Sequence, residues 1–373
     1  MEVIPRPSVN QNLSVILWSP HWRHHKFMGQ DSKSPSAKKG ESRIGSIITL
    51  LSPLRGVLAL VAVFLLGVFY SPKDLHTGWP LFLTLQTQKN ILFEYAEYGM
   101  LATGMTLVIL SGGIDLSVSS VLGVTAVLFS LLVIGFGWPP LLAILACAIA
   151  GLIAGSVSGT IISKFKMQPF VATLAMMVAA RGVAKLITGG MKVQPGAQTW
   201  YRVQGDTPQF FDTMTTPVPG IGLPPITLMF LAGILVMFLV VRYTKFGRQL
   251  YAIGGNEEAA RLSGVQVDRS KIAAYALCGC LAAMAGVANA CRMQLGDPEA
   301  GFTYELDAIA AVVIGGTSLM GGRGGVIFTL IGTLIIGYIG KILSINAVPE
   351  AGRLLAKGGI IVVAVLIQQR KNT

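Results

Sequence analysis

Long apolar runs separated by short polar stretches fill the chain from about residue 47 onward. A helix needs roughly 20 apolar residues to cross the hydrocarbon core of a bilayer. Runs of that kind recur at 47–70, 91–111, 116–136, 139–163, 169–188, 224–242, 272–293, 306–320, 324–344 and 352–369. In lipid, backbone N–H and C=O groups must be paired within the segment, which leaves the helix as the natural form for such runs. The pattern predicts an all-α, polytopic transmembrane bundle of about ten spans over residues 46–373, preceded by a tail of 45 residues.

Lys and Arg positions give this bundle a direction, because cytoplasmic loops carry the excess of basic residues. With the N-terminus inside, the inner segments hold 18 basic residues and the outer ones only Lys73, Lys89, Lys192 and Arg202. Both termini are then cytoplasmic. The tail 1–45 carries seven basic residues, Pro, Ser and Gly, and three of the four histidines. Its longest apolar run, Val15 to Trp18, is too short for a signal-peptide core. It reads as a disordered, basic cytoplasmic tail.

Composition agrees with lipid as the solvent: 53% of residues are hydrophobic and 12% charged, whereas soluble domains are about one quarter charged. A net charge of +12 would suit nucleic acid if it were clustered. Here it lies in short stretches between apolar runs, which argues for topology and against nucleic acid. The cysteines, Cys147, Cys278, Cys280 and Cys291, all fall in apolar runs without metal-ligand spacing, and read as packing thiols. No metal site is expected.

Small residues recur at helical spacing, as Gly151, Gly155 and Gly159, and as Gly332, Ile336 and Gly340. Such spacing lets helix backbones approach closely where lipid removes the hydrophobic drive. The segment Gly112-Gly113-Ile114-Asp115-Leu116 has a counterpart in Gly315-Gly316-Thr317-Ser318-Leu319, and paired broken helices are a common transporter device. Gly112 and Gly113 end one helix, and Asp115 or Ser117 can cap the next. Two readings stand side by side: a cap in an ordinary cytoplasmic turn, or a cavity-lining segment that offers hydroxyls and a carboxylate to a polyol. Arg181 lies well inside the fifth span, so it must face protein or water. It either pairs with an acid such as Asp115, Glu94 or Glu97 or contributes to a translocation path.

Two connecting loops are long enough to carry function, 189–223 outside and 243–271 inside. In the inner one, Glu258-Ala259-Ala260, three further residues and Gly264 form a short polar helix stopped by glycine. Its alanines let a partner surface approach, while Glu257, Glu258 and Arg261 offer charge-assisted contacts.

These segments resemble the permease family of sugar ATP-binding-cassette importers, of the ribose, xylose and galactoside type. The matching stretches are Gly104 to Gly123, Pro169 to Leu174 with Ala180-Arg181-Gly182, Phe246-Gly247-Arg248 through Ala252 to Gly264, and Ala308 to Gly325. The resemblance extends over about 50–370 and makes 46–373 a permease domain. It implies two cytoplasmic ATPase subunits, an extracytoplasmic sugar-binding protein, and a second permease, either another copy or a paralogue. It also implies a multi-pass place in the cytoplasmic (inner) membrane of a bacterium. Glu257, Glu258, Ala259, Ala260, Arg261 and Gly264 would form the coupling loop, and Gly112, Gly113, Asp115, Ser117 and Arg181 would lie near the sugar path.

The chain has no Gly-x4-Gly-Lys-Ser/Thr loop, so no cofactor is expected in it and ATP is left to the partner subunits. Two other transport readings share much of this pattern, a branched-chain amino acid permease and a secondary transporter independent of an ATPase. An intramembrane enzyme would need a Ser/His or paired-acid arrangement, and no His lies in any predicted span. The chain is expected not to be an enzyme.

Overall fold

The computed structural model describes residues 55–74, 78–196 and 207–369. The tail 1–45, the start of the first apolar run, and Trp200 and Tyr201 of the outer loop lie outside the described residues.

Each described run of the apolar pattern forms a helix over most of its length. In chain order the helices are α1 (Arg55–Tyr70), α2 (Leu85–Glu94), α3 (Ala96–Leu110), α4 (Val118–Ser130), α5 (Pro140–Lys164), α6 (Pro169–Thr188) and α7 (Gln209–Thr215). They continue as α8 (Pro225–Tyr243), α9 (Lys245–Gly255), α10 (Glu257–Leu262), α11 (Val267–Met293), α12 (Tyr304–Gly315), α13 (Val326–Ile345) and α14 (Glu350–Gln369). A π-helical stretch, Leu131–Gly135, prolongs α4. Pro140, Pro169 and Pro225 open α5, α6 and α8, where the missing N–H costs nothing and the fixed φ suits the first turn.

Six helices among the described residues are long and apolar enough to cross a membrane: α4 with its π extension, α5, α6, α8, α11 and α13. Helices α1 and α3 are apolar but shorter. The run expected at 306–320 is cut to the 12 residues of α12, because Gly316 turns the chain at φ +113°. Helix α14 covers the last expected run but carries Glu350, Arg353 and Lys357.

The core forms around α3, α4 and α11. Nearly every residue of α3 is buried, so its sequence shows no polar face. Helix α11 packs along α5 through the glycine row expected to pack helices: a Cβ on Gly151 would strike Gly279, on Gly155 the Tyr275 carbonyl, and on Gly159 the Ile272 backbone. Only glycine permits that approach. Helices α5, α6, α8 and α13 expose apolar side chains such as Leu141, Phe170, Leu235 and Ile327 around this centre.

Contacts sort into two layers. At one end the C-terminus of α3, the 316–325 segment, α9 and α10 meet. At the other, Lys185 pairs with Glu299, Lys192 with Asp297 at 3.0 Å, and Lys341 with Glu94 at 2.8 Å, while Val193 and Gly296 form an isolated bridge.

Candidate functional site

Helix α10 is built to stand at a surface. Asn256 caps it, its side chain accepting from Ala259 N at 2.9 Å, and Gly264 ends it at φ +82°, a conformation that a Cβ disfavours. Ala260 is buried with Ile253 and Val267, which fixes one face. Ion pairs fix its rotation: Glu257 with Lys271 at 2.5 Å, Arg261 with Asp268 at 2.9 Å, and Lys166 with Asp268 at 3.1 Å. Partial burial by itself would raise the Glu257 carboxyl, but the bond from Lys271, with Lys166 and Arg261 nearby, holds it below its ordinary value. Glu258 and Ala259 are left exposed, as is Leu262 at 85%. Leu262 escapes a reading that looks for charge and small residues. Its signal is one apolar residue in a helix otherwise made of charged residues and alanines.

Directly behind α10, the end of α9 meets both broken helices. A Cβ on Gly254 would overlap the Leu110 carbonyl and the Gly322 N–H, and one on Gly321 would lie 2.9 Å from both Gly112 N and Gly254 Cα. Gly322 donates its N–H to the Leu110 carbonyl at 3.1 Å. Gly112, Gly321 and Gly322 have φ of +80°, +85° and +69°. Nearby, the Tyr251 hydroxyl donates to the Gly324 carbonyl at 2.8 Å. The first glycine segment thus meets Gly321 and Gly322, just beyond its counterpart at 315–319, against the helix that leads into α10.

Gly112, Gly113, Asp115 and Ser117 form one turn, in which Gly113, Asp115 and Ser117 are buried and Gly112 is exposed. Asp115 Oδ1 accepts from Ser117 N at 2.9 Å and Ser117 Oγ at 2.6 Å. A Cβ on Gly113 would overlap the Tyr275 hydroxyl, itself buried and without a hydrogen-bond partner. Asp115 is 1% exposed, and its carboxylate closes the turn on Ser117.

Arg181 lies apart from that turn. Its Nη1 donates to the carbonyls of Pro298 at 2.6 Å and Ala300 at 2.9 Å, beside Gly123 of α4. It clamps the 294–303 segment to the helices. The acids named as its partners are engaged elsewhere. Glu97, fully buried, stands 2.7 Å from Arg292 Nε and accepts from Asn289 Nδ2 at 2.9 Å; Glu94 pairs with Lys341.

A cavity of about 210 Å³ opens between α3, α12, α13 and α14, with Tyr95, Tyr98, Asp307, Arg353 and Lys357 in its wall. It was not expected from the sequence, since its polar groups come from three distant runs. The described residues hold no group of three His, Cys, Asp or Glu side chains able to bind a metal ion.

A centre of mutually packed apolar helices, a joint between two helix breaks and a short exposed helix are what a polytopic transport permease would present. The chain belongs to the family described as branched-chain amino acid transport system / permease component, whose model matches residues 88–366. It is 40% identical over 298 residues to the ribose import permease protein RbsC of Escherichia coli (strain K12), covering 79% of this chain and 88% of that one. With the ribose import permease protein RbsC of Bacillus subtilis (strain 168) the identity is 42% over 317 residues, 85% and 95% of the two chains. With the xylose transport system permease protein XylH of Escherichia coli (strain K12) it is 34% over 337 residues, 76% and 85%. No solved structure matches the chain. The chain is a multi-pass protein of the bacterial inner membrane, and these relatives are transport permeases, not enzymes.

Proposed function

We propose that the chain is the membrane subunit of an ATP-driven importer for a monosaccharide of the pentose class. An extracytoplasmic binding protein delivers the sugar, and separate ATPase subunits drive the cycle. The relatives' names give ribose and xylose, although the family description names branched-chain amino acids.

The observation that carries the mechanism is the α9–α10 segment. Helix α10 offers Glu258, Ala259 and Leu262 to the aqueous phase, and α9 touches both helix breaks through Gly254. Force applied at α10 by closing ATPases therefore reaches α3 and the 316–325 segment without passing through a flexible side chain. On this reading Glu257, Glu258, Ala259, Ala260, Arg261 and Gly264 are the coupling loop. Gly112, Gly113, Asp115 and Ser117 belong to the inner gate, and Arg181 steadies the outer end. The chain spans the bilayer about ten times with both termini cytoplasmic. The layering supports that topology, since the ion pairs of each layer join residues that the basic-residue rule assigns to one side. The pathway is completed by a second permease, and ATP binds to the partner subunits alone.

The test is uptake by cells that produce the chain with its ATPase and binding protein. ATP-dependent accumulation of labelled D-ribose or D-xylose is expected; accumulation of L-leucine instead, or sugar uptake without the ATPase, refutes the reading.

A further inference from the structure

The cavity between α3, α12, α13 and α14 lies in the outer half of the proposed topology. It takes the N-terminal end of α3, the N-terminal half of α14, the C-terminal half of α13 and α12 from Asp307 to Ile314, so its mouth lies at the ends that face the binding protein on this topology. At about 210 Å³ it falls below the roughly 300 Å³ at which pockets for drug-sized ligands begin, so it holds one small molecule.

Its wall has a definite chemistry. Tyr98 stacks between Tyr95 and Tyr304, with ring centroids 5.2 and 4.2 Å away. Lys357 pairs with Asp307 at 3.0 Å and lies 5.5 Å from the Tyr98 centroid. Arg353 Nε is buried and has no hydrogen-bond partner. A buried donor left without an acceptor is costly, and here it lines a space that a guest can fill. Asp307 and Glu350 balance Arg353 and Lys357 in formal charge, so an ionic guest would bring a charge with no counterpart. A neutral guest with many hydroxyls finds donors, acceptors and an aromatic face together.

The geometry points to this cavity as the site where one neutral monosaccharide ring rests after release from the binding protein. Arg353 Nε–H donates to one hydroxyl, Asp307 accepts from another, and Tyr95 and Tyr98 line the apolar side of the ring. The assignment rests on the sugar-import reading for its ligand class and for the side from which the cavity fills.

Two measurements on the full transport complex test it. Maximal uptake of labelled D-ribose from saturated binding protein should fall at least tenfold in Arg353→Gln and in Tyr98→Leu, with wild-type amounts of each in the membrane. Independently, a maleimide should react with Ile339→Cys, on the cavity wall, several-fold more slowly in the presence of D-ribose or D-xylose, and no more slowly with L-leucine. Failure of the wild-type complex to take up either sugar removes the import reading and this site with it. Where wild-type uptake is normal, undiminished uptake by both variants, or labelling that no sugar slows, overturns the site alone.

Discussion

Gly254 of α9 lies against the Leu110 carbonyl at the end of α3 with no side chain between them, while Gly322 donates to that same carbonyl at 3.1 Å. Three backbone segments far apart in sequence share one point, and only glycine can occupy it at this distance. Gly254→Val would put two methyl groups where main-chain atoms already stand. Overpacking of this kind costs about 1–3 kcal/mol. A lower melting temperature in detergent and sugar uptake below one tenth of wild type are expected. Wild-type uptake by Gly254→Val would show that the joint does not transmit motion.

The joint also marks how far the sequence can be read. The Gly112-Gly113-Ile114-Asp115 segment announces a helix break, because glycines, an acid and hydroxyls interrupt an apolar run. What the break touches is not written locally: Gly254 and Gly321 are distant along the chain, and a glycine carries no signal of its partner. Arg181 shows the same limit differently. Its depth announces a need for partners, and it is met by two carbonyls, which every residue possesses. The apolar runs are legible because lipid imposes one requirement on all of them. The wall of the cavity beside Tyr98 is assembled from four helices and is legible only once they are packed.

Glu97 and Arg292 provide a second test, since the carboxylate is fully buried and 2.7 Å from the guanidinium. Glu97→Ala leaves a buried cation unpaired, a change that costs about 3–5 kcal/mol. The double variant Glu97→Leu, Arg292→Met should recover most of that loss. Thermal unfolding of the purified chain checks both; a double variant no more stable than Glu97→Ala would show that the pair acts through something besides charge.

At the proposed coupling segment, Leu262→Asp should leave folding nearly unchanged, because surface changes of this kind usually stay within about 0.5 kcal/mol. Burying a leucine in an interface is worth about 1.5–3 kcal/mol, so the ATPase should bind more than tenfold more weakly. Glu258→Lys and Gly264→Trp should likewise abolish ATP-driven uptake while the chain still inserts. Co-purification of the ATPase with each variant, with uptake alongside, reads the outcome.

The Glu257 carboxyl is held below its ordinary value by Lys271, Lys166 and Arg261 against the opposing effect of burial. A depressed carboxylate contributes stability that is fully present above its unfolded value and is lost as pH falls through its folded one. Protection of the 256–264 amides, taken relative to their intrinsic exchange rate at each pH, should therefore stay high at neutral pH and fall only in acid, below the normal glutamate range of about 4.3. In Glu257→Gln the low protection should appear at every pH. An acid response that survives in Glu257→Gln would assign the effect to Asp268 instead.

A joint made of main chain alone has a further property. Its shape does not depend on which side chains surround it, so, on the proposed mechanism, a lineage can alter the cavity wall from one ligand to another without retuning the part that would receive mechanical work. Selectivity and drive are then separable inheritances in a single chain, one carried by replaceable side chains and the other by glycines for which no replacement fits.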